Sequence, residues 1–448
     1  LFIQPPRLRF ASKTFNLLHR AAEMKVITNF YLVVLVLISL GCLTVKAESP
    51  FSSLGHGLLI ESANARSAAM GYTSLAILDT LSLDRRNISA WSGPATARFG
   101  LGGEIIRSVV NDINGSDLRD ESGFSGLAIA FPIGVGRFLG LAISPLTRVN
   151  YKWSVVGSAD RDWSSTIEKH QGSGGISQGL VGVSFQLRDS FRFGIGARAI
   201  FGKLERLWKV EFPDATSRAT SHLKSDRFKG VGLSVSAHND LSRQWSIGMA
   251  VNSPVKVRVQ RQNLIHAGSL IQVDSTGDLS DNWDVPLEIS FGVGRRLKGH
   301  ALTGEIAWKG WGSVNEPSVL TDRLEDALRT SAGWEWTPGY SAFDPFWRVL
   351  TYRGGFYYRE HYALSTGENQ SYRLALTGGL GVPYYRGRAR IDFAFEMGLM
   401  GTNSGVAAGL AAVDPKLVPY GAMTATFYTG IGCLLVPSVL FLIIRSLY

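Results

Sequence analysis

Residues 286–294 read P-L-E-I-S-F-G-V-G, and residues 391–399 read I-D-F-A-F-E-M-G-L. In both stretches a large apolar side chain alternates with a small or polar one, without interruption. Because successive side chains of a β-strand point to opposite faces, a period of two indicates antiparallel strands with one apolar face and one polar face.

The same alternation continues over most of the chain after residue 95. Polar loops such as 157–175 and 266–284 alternate with short turns such as 187–190 and 240–243. The sequence therefore predicts an all-β, antiparallel fold of about fourteen strands. The predicted strands are 96–107, 123–133, 137–153, 174–188, 191–208, 229–240, 244–256, 285–296, 300–311, 330–337, 348–360, 371–384, 389–400 and 420–432.

The composition excludes several other classes of protein. The chain has 448 residues, and its two cysteines are too few for a disulfide scaffold. The hydrophobic fraction of 45% excludes a disordered chain. Glycine is abundant, with 50 residues, but it does not recur at every third position, so a collagen-like chain is excluded as well.

Met24 begins a pattern that is typical of a cleavable secretory signal. Lys25 is followed by an apolar core at 31–40 (YLVVLVLISL) and by a small-residue cleavage pattern that ends at Ala47. Ten apolar residues are too few to span a bilayer of about 30 Å. Two alternatives are an N-terminal membrane anchor and a lipoprotein signal with Cys42 as the lipid acceptor. Residues 1–23 precede the signal.

Much of the positive charge lies in this N-terminal part. The whole chain has a net charge of +10, and residues 1–47 hold six Lys or Arg and one acidic residue. The remaining chain has 40 basic and 35 acidic residues, a net charge of about +5 over some 400 residues. Such a weak excess argues against a nucleic-acid partner.

Two architectures fit the strands: a secreted soluble β protein and an outer-membrane β-barrel. A barrel in lipid has an apolar outer band, a small or polar inner face and aromatic side chains at both interfaces. Here the alternate positions are mostly Gly, Ser, Ala and single charges, which favours a transmembrane barrel in the outer membrane of a Gram-negative-type bacterium. Aromatic residues at or near predicted strand ends are Trp153, Trp208, Trp245, Trp308, Trp311, Trp334, Trp336, Trp347, Tyr357, Tyr358, Tyr384 and Tyr385.

Residues 64–79 read N-A-R-S-A-A-M-G-Y-T-S-L-A-I-L-D, a small-residue run, Met-Gly, and an apolar stretch closed by an acid. This resembles the opening of the FadL/PorV superfamily of outer-membrane proteins. The Asn-Pro-Ala motif of that family is Gly-Pro-Ala here, at 93–95. Later motifs resemble the family in the same order, at 251–254, 284–311, 352–358 and 374–381.

The resemblance implies a transmembrane, antiparallel β-barrel of fourteen strands with an N-terminal hatch segment inside its lumen. We place the hatch at 48–95 and the barrel at 96–448. A barrel of this size leaves an aqueous hole unless it is plugged. The alternative is an exposed leader at 60–95, against which the apolar residues 75–78 argue. The hatch candidates for ligand binding or gating are Arg66, Met70, Gly71, Asp79, Pro94 and Ala95.

Arg66 and Asp79 are the hatch charges that we expect to meet partners on the barrel wall, such as Glu288 or Arg373. A buried charge without a partner costs several kcal/mol. The alternative is that both are solvated in a water-filled lumen and matter little.

The sequence predicts no enzyme, no cofactor and no metal site. The eight histidines are scattered, and the Gly-x-Ser-x-Gly at 175–179 lacks the strand before it and the helix after it that a nucleophile needs. No convincing Ser/His pair supports an outer-membrane phospholipase.

The C-terminus is open to three interpretations. Residues 420–432 are one candidate for the closing strand, which leaves 433–448 as a tail. Residues 434–448, which end in the aromatic Tyr448, are the other candidate. A frame error near the end is the third interpretation.

The fold and the resemblance together give two functional hypotheses. The first is a channel for uptake of hydrophobic small molecules such as long-chain fatty acids, gated by the hatch, with outer-membrane lipid and those molecules as partners. The alternative is a PorV-like barrel that does not transport and serves as a docking or shuttle component, with secretion-machinery proteins as partners. The two differ in whether the lumen holds a continuous apolar pocket, which the sequence leaves open.

Overall fold

The computed structural model describes residues 50–53, 55–93, 96–112, 115–157, 166–212, 219–267, 270–274, 279–314, 324–339, 344–362, 370–384, 389–402 and 418–430. All of them belong to the unit formed by residues 46–448. The predicted signal at 24–47, the hatch residues Pro94 and Ala95, and the predicted tail 433–448 lie outside the described residues.

Eighteen strands run through this part of the chain. They are β1 Leu58–Leu59, β2 Arg98–Asp112, β3 Gly115–Gly134, β4 Arg137–Gly157, β5 Thr166–Gln186, β6 Phe191–Glu211, β7 Thr220–Asp240, β8 Trp245–Asn252, β9 Val255–Ala267, β10 Leu270–Asp274, β11 Leu279–Val285, β12 Glu288–Leu297, β13 His300–Lys309, β14 Ala327–Trp336, β15 Thr351–Glu360, β16 Ser371–Tyr384, β17 Ala389–Thr402 and β18 Val418–Gly430.

Fourteen of these strands pair in a ring, because each is hydrogen-bonded to two neighbours. The order is β2 to β8, then β12 to β18, and β18 pairs with β2. Every pair is antiparallel, so the predicted antiparallel barrel of about fourteen strands is confirmed. Since β18 ends at Gly430, the strand that meets β2 corresponds to the predicted segment 420–432.

The two faces of the wall have the predicted polarity. In β12, Phe291 is 47% exposed, whereas its neighbour Ser290 is 7% exposed. In β17, Phe395 is 50% exposed and Ala394 is 3% exposed. The large apolar side chains therefore face outward, where a bilayer covers them, and the small and polar side chains face the lumen.

The strands of the ring differ in length by more than a factor of two, from the 8 residues of β8 to 21 residues. Strands β4 to β7 have 21 residues each, and β12 to β15 have 10 each. A transmembrane strand needs about 9–11 residues. The longer strands therefore project beyond the bilayer at the end where the long loops lie, which we call the long-loop end.

This projection makes two predicted loops wrong in part. Strand β5 begins at Thr166, inside the predicted loop 157–175. Strand β10 lies inside the predicted loop 266–284, and β11 begins inside it at Leu279 and ends one residue beyond it at Val285. Beyond the bilayer both faces of a strand can be polar, so the apolar half of the alternation is lost. In the sequence, a polar part of such a strand therefore has the same pattern as a loop.

Two predicted strands are each split by a proline. The predicted strand 244–256 is interrupted at Ser253 and Pro254. The predicted strand 285–296 is interrupted at Pro286 and Leu287, directly after its first residue. The breaks face each other, since β9 pairs with β11 on one side of them and β8 pairs with β12 on the other. Proline has no N–H to donate to a ladder, which accounts for both interruptions.

Helices are few and short in the described part of the chain. They are α1 Ala65–Ala69, α2 Phe346–Val349 and 3₁₀ helices at Pro50–Ser53, Ile88–Ser92 and Trp311–Ser313. Across the described ranges, no helix is long and apolar enough to cross a membrane.

The outward orientation of β12 predicts a depth-dependent cost of charge. Phe291→Arg, in the middle of the strand, should destabilise the folded barrel by about 2–4 kcal/mol, because its charge enters the hydrocarbon. Leu297→Arg is the matched control, since Leu297 is also outward but lies at the strand end, where the cost is about 0–1 kcal/mol. Urea titration of the barrel in lipid vesicles measures both. Equal costs at the two positions would contradict a lipid-facing surface.

Candidate functional site: the hatch and the wall around it

The described part of the hatch lies inside the ring and crosses it from wall to wall. Helix α1 packs against strands β15 to β18, and the 3₁₀ helix Ile88–Ser92 packs against β4 to β7. Strands β6 and β16 are seven positions apart in the ring of fourteen, so these two walls face each other. The hatch therefore fills the lumen between them.

The motif at 64–72 forms a capped helix that ends in a tight turn. The Asn64 side chain accepts a hydrogen bond from Ser67 N at 2.8 Å, and the Ser67 hydroxyl lies 3.2 Å from Asn64 N, which makes a capping box. After α1 the backbone turns through Gly71, whose φ is +65°. Glycine adopts this left-handed conformation without a steric cost, which explains the Met-Gly of the motif.

Inward-facing glycines of the wall let the hatch backbone approach very closely. A Cβ added at Gly355 would lie 2.5 Å from Gly71 N, and one added at Gly333 would lie 2.5 Å from Met70 O. Glycine is required here by contact, since any larger residue would overlap the hatch. Further glycine–hatch approaches join Gly379 to Ala69, Gly294 to Ile77, Gly140 to Trp91 and Gly194 to Ser89.

Arg66 and Asp79 are buried and paired. Arg66 Nε lies 2.9 Å from Glu335 Oε2 on β14 and 3.4 Å from Asp79 Oδ2, and Asp79 also pairs with Arg390 on β17. The expectation that hatch charges meet partners on the wall is correct in principle, and the alternative of solvated charges is wrong.

The partners named from the sequence are nevertheless wrong. Glu288 lies 3.7 Å from Lys309, and Arg373 lies 3.5 Å from Glu396, so both pair within the wall. The strand register determines which wall residues lie at the same height along the barrel axis as Arg66. The sequence alone does not give the height at which Arg66 crosses the lumen.

Glu61 is the centre of a second buried network that the sequence analysis missed. It is 8% exposed and has four cations within 4 Å. Burial alone would raise the pKa of Glu61, but these cations outweigh it and hold the pKa well below its usual range. The four distances are 3.5 Å to Lys309, 3.8 Å to Arg329, 3.5 Å to Arg359 and 3.6 Å to Arg86.

Met70 and Gly71, the other described hatch candidates, pack closely against the barrel wall. Met70 is 1% exposed, and the turn that it begins presses Gly71 against β14 and β15. The next residue, Tyr72, donates to Glu396 at 2.8 Å. Arg66, Met70, Gly71 and Asp79 are thus all on the wall-facing side of the hatch. Among the described residues no group of three or more His, Cys, Asp or Glu is placed to hold a metal.

An apolar cluster fills the lumen on the long-loop side of the hatch. His56 of the hatch packs against this cluster, with its ring tilted by 35° to that of Trp283 and the ring centres 4.2 Å apart. The Tyr362 hydroxyl accepts from His56 N at 2.9 Å and donates to Gly57 O at 3.0 Å. Its buried side chains are Leu59, Leu146, Val149, Tyr151, Ile176, Ile200, Leu204, Phe228, Val255, Val257, Val259, Trp283, Val285, Trp311, Ala327 and Tyr362.

The wall itself is interrupted between β3 and β4. These strands pair only from Leu127↔Ile143 to Gly134↔Arg137, although both continue toward the long-loop end. Ser125 of β3 is left out of the ladder with β2 as a bulge, at the point where pairing with β4 stops. We call this interruption the β3–β4 gap.

The hatch covers the β3–β4 gap from inside. Its strand β1 takes the place of β3 as partner of β4, with Leu58 opposite Arg148 and Leu59 opposite Thr147. Arg85 of the hatch donates to the carbonyl oxygens of Ser125 at the bulge and of Ala63. An unpaired strand edge exposes backbone N–H and C=O groups, and β1 satisfies part of that edge.

The close packing predicts different effects for two adjacent glycines of β15. Gly355→Ala places a methyl group against the hatch and should loosen it by about 1–3 kcal/mol. Gly354→Ala is the control, since Gly354 faces outward and a Cβ there would have its nearest neighbour at 3.8 Å. Hydrogen exchange of the hatch amides measures the loosening. Equal protection in the two variants would contradict close packing of the hatch on β15.

The buried hatch groups Asp79, Glu61 and His56 predict a loss of docking in two steps as the pH falls. Cationic partners outweigh burial and hold the pKa of Asp79 below its usual range, as they do for Glu61. Burial, with nearby cations, holds the pKa of His56 well below its ordinary value. A group with a lowered pKa stabilises the docked hatch above its ordinary pKa, about 6.5 for histidine and about 4 for a carboxylate, and the stabilisation is lost as the pH falls below that value. Hatch protection, corrected for the intrinsic pH dependence of exchange, should stay constant from about pH 8 to pH 7, fall below about pH 6.5 and fall further below about pH 4. Protection that stays constant from about pH 8 to pH 3 would contradict this assignment.

Solved structures resemble this fold over most of the chain. The Ralstonia pickettii toluene transporter TbuX has a TM-score of 0.51 at 13% identity and covers 82% of this chain and 97% of its own. A Pseudomonas aeruginosa FadL homologue has 0.53 at 11%, with 84% and 99% covered. The Pseudomonas putida toluene transporter TodX has 0.54 at 12%, with 83% and 98% covered. At such identities the likeness concerns the fold, and it confirms the predicted FadL-like barrel.

Sequence comparisons give the family. No curated protein matches the chain. A profile described as malonate/sodium symporter MadM subunit matches residues 388–448, a stretch whose strands β17 and β18 belong to the ring. The BamG profile matches residues 26–407, well over half of the chain. The chain belongs to the BamG family.

Proposed function

We propose that the protein is an outer-membrane channel for hydrophobic small molecules, which leave its lumen through the β3–β4 gap. The neighbours named above support the class of substrate, because two are described as toluene transporters and one as a FadL homologue. They also support a location in the outer membrane. The observation that carries the proposal is the gap in the wall beside the hatch.

The proposed route begins in the apolar cluster at the long-loop end. The aromatic and aliphatic side chains there exclude water, and a hydrophobic molecule that displaces part of this packing would remain in apolar surroundings. A hydrophobic molecule is more stable in lipid than in water. A sideways exit through the β3–β4 gap would deliver it to the bilayer without a passage through water.

In this structure the hatch blocks the proposed route, and it acts as the gate of the proposed channel. Strand β1 and Arg85 occupy the inner side of the gap, so exit requires both to move. The ion pairs of Arg66 and Asp79 and the packing at Met70 and Gly71 hold the rest of the hatch in place. We propose that these residues, with Pro94 and Ala95 at the end of the predicted hatch segment, set how readily the hatch moves.

Long-chain fatty acids and aromatic hydrocarbons are the two substrate classes to distinguish. The PorV-like docking alternative predicts no uptake of either. A barrel that only docks other proteins needs no break between β3 and β4 beside the hatch, so the gap favours transport.

A reversible cross-link between the hatch and β4 tests the gate. Leu59→Cys and Thr147→Cys, in a background with Cys42 and Cys433 replaced by serine, place two thiols at opposed positions of β1 and β4. Oxidation should stop uptake of labelled toluene or oleate by cells that express the protein, and reduction should restore it. Which of the two is taken up identifies the substrate class.

The matched control joins β3 to β4 where they already pair. Ile129→Cys and Leu141→Cys are opposed in that ladder, so their disulfide leaves the hatch free and should leave uptake unchanged. Uptake that persists after oxidation of the Leu59/Thr147 pair would contradict the gate. Absence of uptake in every form, reduced or oxidised, would contradict transport and favour the docking alternative.

A further inference from the structure

A small polar cavity lies between the hatch and the wall formed by β4 to β8, β12 and β13. Its volume is about 20 Å³. This is room for one or two water-sized species, and it is too small for an alkyl chain or an aromatic ring. The cavity is lined by Ile60, Glu61, Ser62, Arg85, Arg86, Ala142, Ser144, Leu146, Gln178, Leu180, Arg198, Ser234, Asn252, Glu288 and Lys309.

The charges that line the cavity do not balance. Four cations face two carboxylates, which leaves an excess of two positive charges. The nearest charged neighbours do not remove this excess, because two further cations are matched by two further acids. The lining charges are Arg85, Arg86, Arg198 and Lys309 against Glu61 and Glu288, and the neighbours are Arg329 and Arg359 against Glu305 and Asp84.

Arg198 of β6 carries much of this imbalance. It is 3% exposed, and no carboxylate oxygen of the described residues lies within 4.0 Å of its guanidinium group. Its Nη2 donates to Ser253 O at 2.9 Å, but its Nε has no hydrogen-bond partner in the described part of the chain. Arg66, by contrast, is buried to the same degree and is paired with two carboxylates.

Arg86 of the hatch also presents a donor without a partner to this region. Its Nη1 lies 3.6 Å from Glu61 and 3.4 Å from Glu305, whereas its Nε has no partner among the described residues. Arg86 thus has counter-charges and lacks only a partner for its Nε, whereas Arg198 has no carboxylate within 4.0 Å among the described residues. A buried cation without a close counter-charge is strongly unfavourable. A bound water would satisfy a donor but would leave both excess charges in place.

We infer that the cavity binds a small inorganic anion, of which chloride is the simplest, with Arg198 of the wall and Arg86 of the hatch as its cationic ligands. The anion neutralises one of the two excess charges and accepts hydrogen bonds from otherwise unpaired N–H groups. Because one ligand belongs to the hatch and the other to the wall, the anion fastens the hatch to β6. This inference does not depend on transport, since the cavity is too small for the proposed substrates.

A structural experiment on the unmodified protein tests the site directly. Crystals grown with chloride replaced by bromide should show an anomalous peak in the cavity beside the Arg198 guanidinium group. A cavity without such a peak would overturn the inference.

Hydrogen exchange tests the consequence for the hatch. The purified barrel is compared in chloride and in gluconate at equal ionic strength, because gluconate is too large for the cavity. At a chloride concentration ten times the dissociation constant, the released-hatch population should fall about elevenfold, and exchange of the hatch amides should slow by the same factor. Equal exchange rates in the two salts over the whole chloride range would overturn the inference.

Two substitutions on the same strand separate this site from general electrostatics. Arg198→Gln should abolish the chloride dependence of hatch exchange. Arg192→Gln is the matched control, because Arg192 also faces the lumen from β6 but pairs with Asp240 at 3.6 Å, and it should keep the dependence. A chloride effect that survives in Arg198→Gln would mean that the ion acts elsewhere and would overturn the assignment.

Discussion

The structure depends on close contact between the hatch backbone and the inner wall of the barrel. Fourteen strands enclose more space than their own side chains fill, and without a plug that space is an aqueous hole. Here the backbone at Met70 and Gly71 lies against Gly333 and Gly355, with no room for a Cβ on either wall glycine. The abundance of glycine in this chain is therefore partly a requirement of packing inside the lumen.

The charged networks follow from that packing. Once the hatch fills the lumen, water is excluded from Arg66, Asp79 and Glu61, so each needs a partner of opposite charge. Five of these partners lie on strands β13 to β17 and link the hatch to the wall, whereas the pairs Arg66–Asp79 and Glu61–Arg86 lie within the hatch. Arg198 of the wall is also buried, but among the described residues no carboxylate lies within 4.0 Å of it. The missing counter-charge is the reason for the proposal that Arg198 binds an anion.

Much of the barrel was predictable because the physical signal is local. Alternation in stretches such as 286–294 and 391–399 requires only that one face meets lipid and the other the lumen. The projecting parts of β5 and β9 to β11 were missed because that contrast ends where the bilayer ends. The family resemblance indicated the hatch motif, and the charge of Arg66 indicated a partner. The identity of that partner, Glu335, depends on the depth at which the hatch crosses the ring, which no local pattern contains. The signal for the second network is the charge of Glu61 and of the adjacent pair Arg85 and Arg86 in a segment that has few charged residues.

We propose that the hatch and the β3–β4 gap together pass hydrophobic molecules into the bilayer. Crystallography of the protein with a brominated aromatic hydrocarbon tests this proposal. A bromine anomalous peak should lie inside the barrel, between the apolar cluster around Trp283 and the gap that Leu58 and Leu59 cover. Bromine found only on the lipid-facing surface would contradict it.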